Sequence, residues 1–135
     1  MLAPSLNLIV GQRLVRRVCP FCSTKKDPDY AESAEMADSI RKINDIDPTK
    51  MLDFHRQIPK IVGCDHCNGT GYIGRIALLE VFEISDDIKR MIVEGRSAIE
   101  IYGKARENGY LTMKEDGIMK MLDGLTTLDE IRRVL

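Results

Sequence analysis

The stretch CDHCNGTGYIGR, from Cys64 to Arg75, decides how the middle of this 135-residue chain folds. It contains two cysteines separated by two residues, then three glycines, and it has few apolar side chains to bury. A second pair with the same spacing lies in CPFC, from Cys19 to Cys22. These are the chain's only four cysteines, so the two pairs have to be explained together.

Two C-x-x-C pairs joined by a longer segment are typical of a structural zinc site. Each pair supplies two thiolates to one side of a tetrahedron, with zinc–sulfur distances of about 2.3 Å. The glycines behind the second pair permit the positive φ angles of a tight turn that points backbone amides at the sulfurs. The sequence therefore predicts zinc as a cofactor, with Cys19, Cys22, Cys64 and Cys67 as its ligands.

Other interpretations of the cysteines stay open on the sequence alone. CPFC resembles the redox motif of glutaredoxins, but no apolar helix opens there and the second pair is left unexplained. Disulfides need an oxidising compartment, for which the chain shows no targeting signal. CDHCNGTG fits the C-x-x-C-x-G-x-G repeat of the DnaJ-type chaperone zinc domain, although the chain has one such repeat. His66 is interpreted as a solvent-facing spacer rather than a ligand.

Composition places the chain among soluble globular proteins of one domain or two small ones. It is 44% hydrophobic and 30% charged, with a formal net charge of −1. The N-terminus lacks the pattern of a secretory signal, and no run of about 18 apolar residues occurs, so we expect a cytoplasmic chain. A local basic cluster is interpreted as a solvated face or subunit contact, with nucleic-acid binding as the alternative. The cluster consists of Arg13, Arg16, Arg17, Lys25 and Lys26.

The segment between the cysteine pairs predicts a helix followed by strands. Asp27 and Pro28 offer an N-cap and a first-turn proline, and Met36, Ile40 and Ile43 then share one helical face. KIVGC and GYIGRIALLEVFEIS are predicted as strands because β-branched and apolar residues dominate them. The fold class predicted is α+β, with a small tetracysteine zinc-binding unit, short antiparallel strands and an inserted helix.

The remainder of the chain, residues 85–135, predicts a compact four-helix C-terminal subdomain. Three [ST]-x-x-E capping boxes mark helix starts, at Ser97/Glu100, Thr112/Glu115 and Thr127/Glu130. Glycines stand where the preceding helices should end, at Gly95, Gly109 and Gly124. One small core is predicted from apolar residues at helical spacing: Ile88, Met91, Ile92, Ile101, Ala105, Ile118, Met121, Leu122, Leu128, Ile131 and Leu135.

Motifs for catalysis are missing from the sequence. It has no G-x-x-x-x-G-K-[ST] phosphate loop, no G-x-S-x-G elbow and no H-E-x-x-H pair. No catalytic residue is predicted for the chain on its own.

Three segments together resemble the C-terminal third of the type II secretion and type IV pilus assembly ATPases, the general secretion pathway protein E family. They are LNLIVGQRLVRRVCPFC, GCDHCNGTGYIGRIALLEVFEISDDIKRMI and KARENGYLTMKEDGIMKMLDGLTTLDEI. The resemblance implies that residues 1–18 end a RecA-like ATPase core helix. Residues 19–84 would be a tetracysteine zinc-binding subdomain and 85–135 a helical tail. Ala77 departs from the further glycine that many relatives have there.

The resemblance also implies a function. The family forms homo-hexameric motors at the cytoplasmic face of the inner membrane, where platform and anchor proteins recruit them for secretion or pilus extension. ATP and magnesium would bind only to the full-length parent, whose phosphate loop lies upstream of these residues. Direct membrane insertion and nucleic-acid binding are not expected. Two competing hypotheses are an independent zinc-ribbon module for nucleic acid and a chaperone-like zinc domain.

Overall fold

A computed structural model describes residues 7–135 of the chain. Its elements are β1 (Leu8–Val18), β2 (Thr24–Lys26), α1 (Tyr30–Ile46), β3 (Ile58–Lys60), a short 3₁₀ turn (Asp65–Cys67), β4 (Tyr72–Glu83), α2 (Asp86–Val93), α3 (Ala98–Glu107), α4 (Met113–Leu122) and α5 (Leu128–Val134). This mixture of helices and antiparallel strands confirms the predicted α+β class. Within the described residues, no helix is long and apolar enough to cross a bilayer.

A long antiparallel ribbon organises the fold, and it joins two strands that lie far apart in sequence. β1 pairs with β4 from Leu8 opposite Glu83 to Val18 opposite Tyr72. The helix predicted within residues 1–18 is therefore wrong for 8–18, where β-branched residues favour extended backbone. Residues 1–6 lie outside the described part of the chain.

The predicted strand KIVGC is also wrong in its bounds. The strand there, β3, ends at Lys60, the first residue of that stretch, and it pairs with β2 in a separate two-stranded sheet. The second predicted strand is confirmed as β4, but it pairs with β1. Strand partners are set by contacts between distant residues, which a local pattern cannot identify.

Helix α1 buries the face that the sequence predicts. Met36, Ile40 and Ile43 are each 0% exposed. The helix begins later than predicted, because Asp29 rather than Asp27 is the N-cap. The Asp29 carboxylate accepts from the Glu32 amide at 2.8 Å, and the Glu32 carboxylate accepts from the Asp29 amide at 3.1 Å. This reciprocal pair is a capping box.

The three predicted N-caps of the C-terminal helices are confirmed: Ser97, Thr112 and Thr127 each accept a hydrogen bond from the amide three residues on. The predicted terminal glycines, Gly95, Gly109 and Gly124, all have positive φ angles. The reciprocal capping box forms only at Thr112, with Glu115. The corresponding side chains Glu100 and Glu130 bond to arginines instead.

The core of these helices differs from the single core predicted for residues 85–135. Two separate clusters form, and a four-helix subdomain with its own core is not confirmed. The smaller cluster joins α2 and α3 to the end of the ribbon, through Ile84, Ile88 and Ala105. The larger one combines both strands of the ribbon with α1, β3, α4 and α5: Val15, Met36, Ile40, Ile58, Leu78, Ile118, Met121, Leu122, Leu128 and Ile131. Ile92 and Leu135, predicted as core, are 37% and 54% exposed.

Two helical glycines test how tightly α4 packs on this larger core. A Cβ at Gly117 would lie 3.0 Å from Ile131 Cγ1 and 3.3 Å from Leu78 Cδ1, whereas a Cβ at Gly103 in α3 would meet nothing within 4 Å. We expect Gly103→Ala to raise the free energy of unfolding by up to about 1 kcal/mol through helix propensity. The free energy of unfolding of Gly117→Ala should be about 1–3 kcal/mol lower than that of Gly103→Ala, because the added Cβ overpacks the core. Urea unfolding measures both, and equal gains would contradict the packing described.

Candidate metal centre

Four cysteine sulfurs meet at one end of the ribbon. Cys19 directly follows β1 and Cys22 precedes β2. Cys64 is the N-cap of the 3₁₀ turn before β4, and Cys67 is its last residue. All four Sγ atoms lie within 4.8 Å of one another. The separations are 3.8 Å between Cys19 and Cys64, 3.9 Å between Cys22 and Cys67, and 3.7 Å between Cys64 and Cys67. The structure therefore brings together all four residues that the sequence singles out.

The spacing of the sulfurs fits one tetrahedral ion. Four ligands at about 2.3 Å from a zinc ion stand about 3.8 Å from one another. Three of the sulfur separations are 3.7–3.9 Å, and all lie within 4.8 Å. A disulfide would require sulfurs about 2.05 Å apart, and all four thiols are free. The disulfide alternative therefore does not describe this structure, whereas the geometry can hold a metal ion.

Backbone amides support the second pair as predicted. The amides of Cys64 and Gly71 donate to Cys67 Sγ at 3.1 and 3.2 Å. The Gly71 carbonyl accepts from the Cys19 amide at 2.8 Å, so this glycine connects the two pairs. Gly71 has φ +82°, and a Cβ there would lie 2.1 Å from Ile61 Cγ2. Only glycine fits this position.

The surroundings affect the thiols differently. Burial would raise the pKa of Cys67, but hydrogen bonds from the amides of Cys64 and Gly71 and from neighbouring thiols lower it to about 6. Burial raises the pKa of Cys22 to about 12. Metals bind the thiolate form, so the lowered pKa favours binding by Cys67, whereas binding by Cys22 must displace its proton.

His66 takes no part in the sulfur cluster. It is exposed, as predicted for a spacer, and its ring stacks on Phe21 with 4.1 Å between ring centroids. Phe21 belongs to the first cysteine pair and is 67% exposed. The stack connects the outer sides of the two pairs. Nothing in the spacing of either pair predicts it.

The basic cluster predicted near the first cysteine pair is partly neutralised by acidic side chains. Lys26 pairs with Glu32 at 3.0 Å. Arg16 pairs with Glu130 at 2.9 Å, and the Glu130 side chain is only 1% exposed. Arg133 bonds to the same carboxylate at 2.9 Å. No local motif marks this three-residue group, because Arg16 and Glu130 are 114 positions apart.

These two arginines control the ionisation of Glu130. Burial alone would raise the pKa of a carboxylate. Hydrogen bonds from Arg133 and Arg16, and from the Arg16 backbone amide, outweigh that effect and lower the pKa of Glu130 from 4.5 to about 2. The Glu130 carboxylate is therefore charged at neutral pH, and it lies where α5 contacts β1.

Comparison with known proteins identifies the family of the chain. The sequence profile of a family described as Type II/IV secretion system protein matches residues 1–133. The chain belongs to this family. The match confirms the resemblance given by the cysteine and helix motifs, and it does not favour an independent nucleic-acid module or a chaperone-like domain.

Relatives in this family are much longer than the chain. Type IV pilus assembly ATPase PilB of Thermus thermophilus is 39% identical over 123 residues, which are 91% of this chain and 13% of that protein. PilB of Myxococcus xanthus is 37% identical over 131 residues, 97% of this chain and 22% of that protein. Type II secretion system protein E of Pseudomonas aeruginosa is 34% identical over 134 residues, 99% of this chain and 24% of that protein. The chain thus spans a quarter or less of the length of these three.

The charge on Glu130 predicts a pH dependence of stability. Its pKa is lowered in the folded state, so stability is fully present above about pH 4.5 and is lost as pH falls towards 2. We expect the free energy of unfolding to fall more steeply with acidity in the wild type than in Glu130→Gln, measured by denaturant unfolding between pH 5 and pH 2 at roughly half-unit steps. Parallel pH profiles for the two proteins would contradict the assignment.

Proposed function

We propose that this chain is the metal-binding C-terminal portion of a hexameric motor ATPase that serves type II secretion or type IV pilus assembly. The observation that carries the proposal is a four-thiol cluster inside a chain that matches the family profile over residues 1–133. The named relatives are pilus assembly ATPases and a secretion system protein. Because the chain lacks a phosphate-loop motif, ATP and magnesium would bind elsewhere in the longer protein. The chain itself would contribute to motor assembly or to partner docking.

The ion proposed is zinc, held by Cys19, Cys22, Cys64 and Cys67. Zinc has no redox chemistry of its own, and in four-thiolate sites it acts as a cross-link rather than a catalyst. The sulfur separations and the amide donors around Cys67 support this assignment. A rigid cross-link suits a subdomain that has to keep its structure while the motor changes conformation.

For the organisation of the longer protein, we propose that residues 1–18 end the ATPase core, 19–84 form the inserted zinc-binding subdomain and 85–135 form the tail. The ribbon supports this organisation, because the face of β1 and β4 that points away from the core carries several exposed apolar side chains. Its exposed members are Leu8, Val10, Leu14, Leu79 and Val81, each between 39% and 54% exposed.

The size of this outer ribbon face indicates what covers it. Two strands over nine residue positions present roughly 300 Å². Stable complexes between separate proteins bury about 800 Å² on each partner, so the outer ribbon face is too small to hold one alone. A partner in the same polypeptide needs less area, because its effective concentration is already high. The ATPase core of the longer protein is the occupant proposed.

Location and partners are proposed by analogy with the family. We propose action at the cytoplasmic face of the inner membrane, in a homo-hexamer recruited by platform and anchor proteins, without direct insertion into the bilayer. The names of the relatives support an assembly role. Nucleic acid is not proposed as a partner, since Arg16 and Lys26 of the basic cluster are engaged by Glu130 and Glu32.

The metal assignment is tested by native mass spectrometry of the purified chain. We expect one zinc ion per chain, and we expect Cys64→Ser to lose it because one of four thiolates is removed. His66→Ala is the matched control, since His66 lies in the same turn but its ring stacks on Phe21. The proposal fails if the wild type carries no metal, or if His66→Ala loses zinc as completely as Cys64→Ser.

The place in the motor is tested with a chimera in which this chain replaces the matching 131 residues of Myxococcus xanthus PilB. We expect the chimera to hydrolyse ATP and the isolated chain not to. Val10→Glu should abolish hydrolysis by the chimera, while Gln12→Glu, a polar position on the same face, should not. In the isolated chain both variants should change the free energy of unfolding by less than about 0.5 kcal/mol. Hydrolysis by the isolated chain, or equal effects of the two variants, would contradict the proposal.

A further inference from the structure

We propose that the segment Leu125 to Glu130 positions the end of β1 so that Cys19 meets the other three thiols. Docking of α5 and retention of the metal would then stabilise each other. This inference rests on the metal site proposed above and adds a second role for the C-terminal helix. Glu130 is a positioning residue in this scheme, because it acts on the cysteines through the backbone of β1.

Three backbone groups at the end of β1 form hydrogen bonds to this segment. The Arg16 amide donates to Glu130 Oε1 at 2.7 Å, and the Arg16 carbonyl accepts from Thr126 Oγ1 at 3.0 Å. The Val18 amide donates to the Leu125 carbonyl at 2.9 Å. The ladder to β4 is irregular between Arg16 and Val18, so β4 alone does not fix this part of β1.

The side chains extend the same connection to β4. The Arg16 guanidinium bonds to Glu130 and lies 4.2 Å from the centroid of the Tyr72 ring. The Tyr72 hydroxyl and Thr127 Oγ1 are 2.9 Å apart, and Thr127 is the N-cap of α5. The ends of both ribbon strands are thereby held against the first turn of α5. Glu130 is at the centre of the group, with 1% of its side chain exposed.

Both strand ends lead directly to the sulfurs. On one side, Val18 is followed by Cys19, whose amide donates to the Gly71 carbonyl at 2.8 Å. On the other side, Tyr72 follows Gly71, whose amide donates to Cys67 Sγ at 3.2 Å. Val18 and Tyr72, which bond to the segment Leu125 to Glu130, are therefore the immediate neighbours of the residues that place two of the four sulfurs.

The coupling has to be reciprocal. If docking of α5 raises metal affinity by some factor, metal binding must stabilise docked α5 by the same factor. Couplings between two sites are typically about 5-fold to 150-fold, and short continuous hydrogen-bonded connections such as this one support an effect of about tenfold. Removing the Glu130 charge leaves the Arg16 amide and guanidinium with a weaker acceptor, which frees the end of β1.

The experiment compares zinc affinity in three variants by competition with a chromophoric chelator. Glu130→Gln removes the charge with little change in shape. Glu100→Gln is its matched control, because Glu100 stands at the same position after the Ser97 N-cap but is exposed and pairs with Arg96. Ile88→Val weakens the smaller core cluster, away from the sulfurs, and so controls for a general loss of stability.

We expect Glu130→Gln to weaken zinc binding about tenfold and both controls to bind as the wild type does. In the wild type, zinc should slow hydrogen exchange of the α5 amides by the same factor, and in Glu130→Gln this slowing should be lost. Circular dichroism checks that each variant is folded. If Glu130→Gln does not fold, Thr126→Val removes only the hydroxyl bond to the Arg16 carbonyl and should weaken binding in the same direction.

Three results would overturn the inference. Wild-type zinc affinity in a folded Glu130→Gln with faster α5 exchange would show that α5 docks independently of the metal. Equal weakening in Ile88→Val would show a general stability effect. Absence of zinc binding by the wild type would overturn the proposed metal site itself, and that result is distinguishable from the first two because it requires no variant.

Discussion

The fold depends on four sulfur atoms from two distant parts of the chain that lie within 4.8 Å of one another. Between them the chain leaves the ribbon after β1, forms β2, α1 and β3, and returns to begin β4. A structural zinc ion contributes roughly 10 kcal/mol or more of folding free energy, which is as large as the net stability of an ordinary domain, about 5–15 kcal/mol. One such ion would therefore be enough to hold the inserted segment and the base of the ribbon in register.

Local patterns predicted the parts of the structure that local chemistry determines. The spacing of Cys19, Cys22, Cys64 and Cys67 predicted their clustering, because each pair needs only one tight turn. The N-caps of α3, α4 and α5 were predicted because a capping hydroxyl bonds only three residues away. The buried face of α1 followed from its periodicity.

What the sequence did not predict depends on contacts between distant residues. The pairing of β1 with β4, in place of a helix before Cys19, leaves no local mark beyond a few β-branched residues. Glu130 matched a capping box, but Arg16 and Arg133 bind its carboxylate in the folded chain. The helices after Ser85 divide between two clusters, because α4 and α5 share one core with the ribbon. Hydrophobic spacing shows which face of a helix is buried, but not against which element.

Buried charges in this protein have partners. Glu115 bonds to Arg106 and to its own N-cap, and Glu130 bonds to two arginines. Within residues 7–135, no buried side-chain nitrogen or oxygen lacks a hydrogen-bond partner. Buried ion pairs of this kind are weak evidence for net stability, but they specify one arrangement of the elements that carry them.

X-ray absorption at the zinc edge of the purified chain measures the number and type of the ligands that bind the ion. We expect a single shell of four sulfur atoms at about 2.3 Å. A shell that contains nitrogen or oxygen, or fewer than four sulfurs, would contradict it.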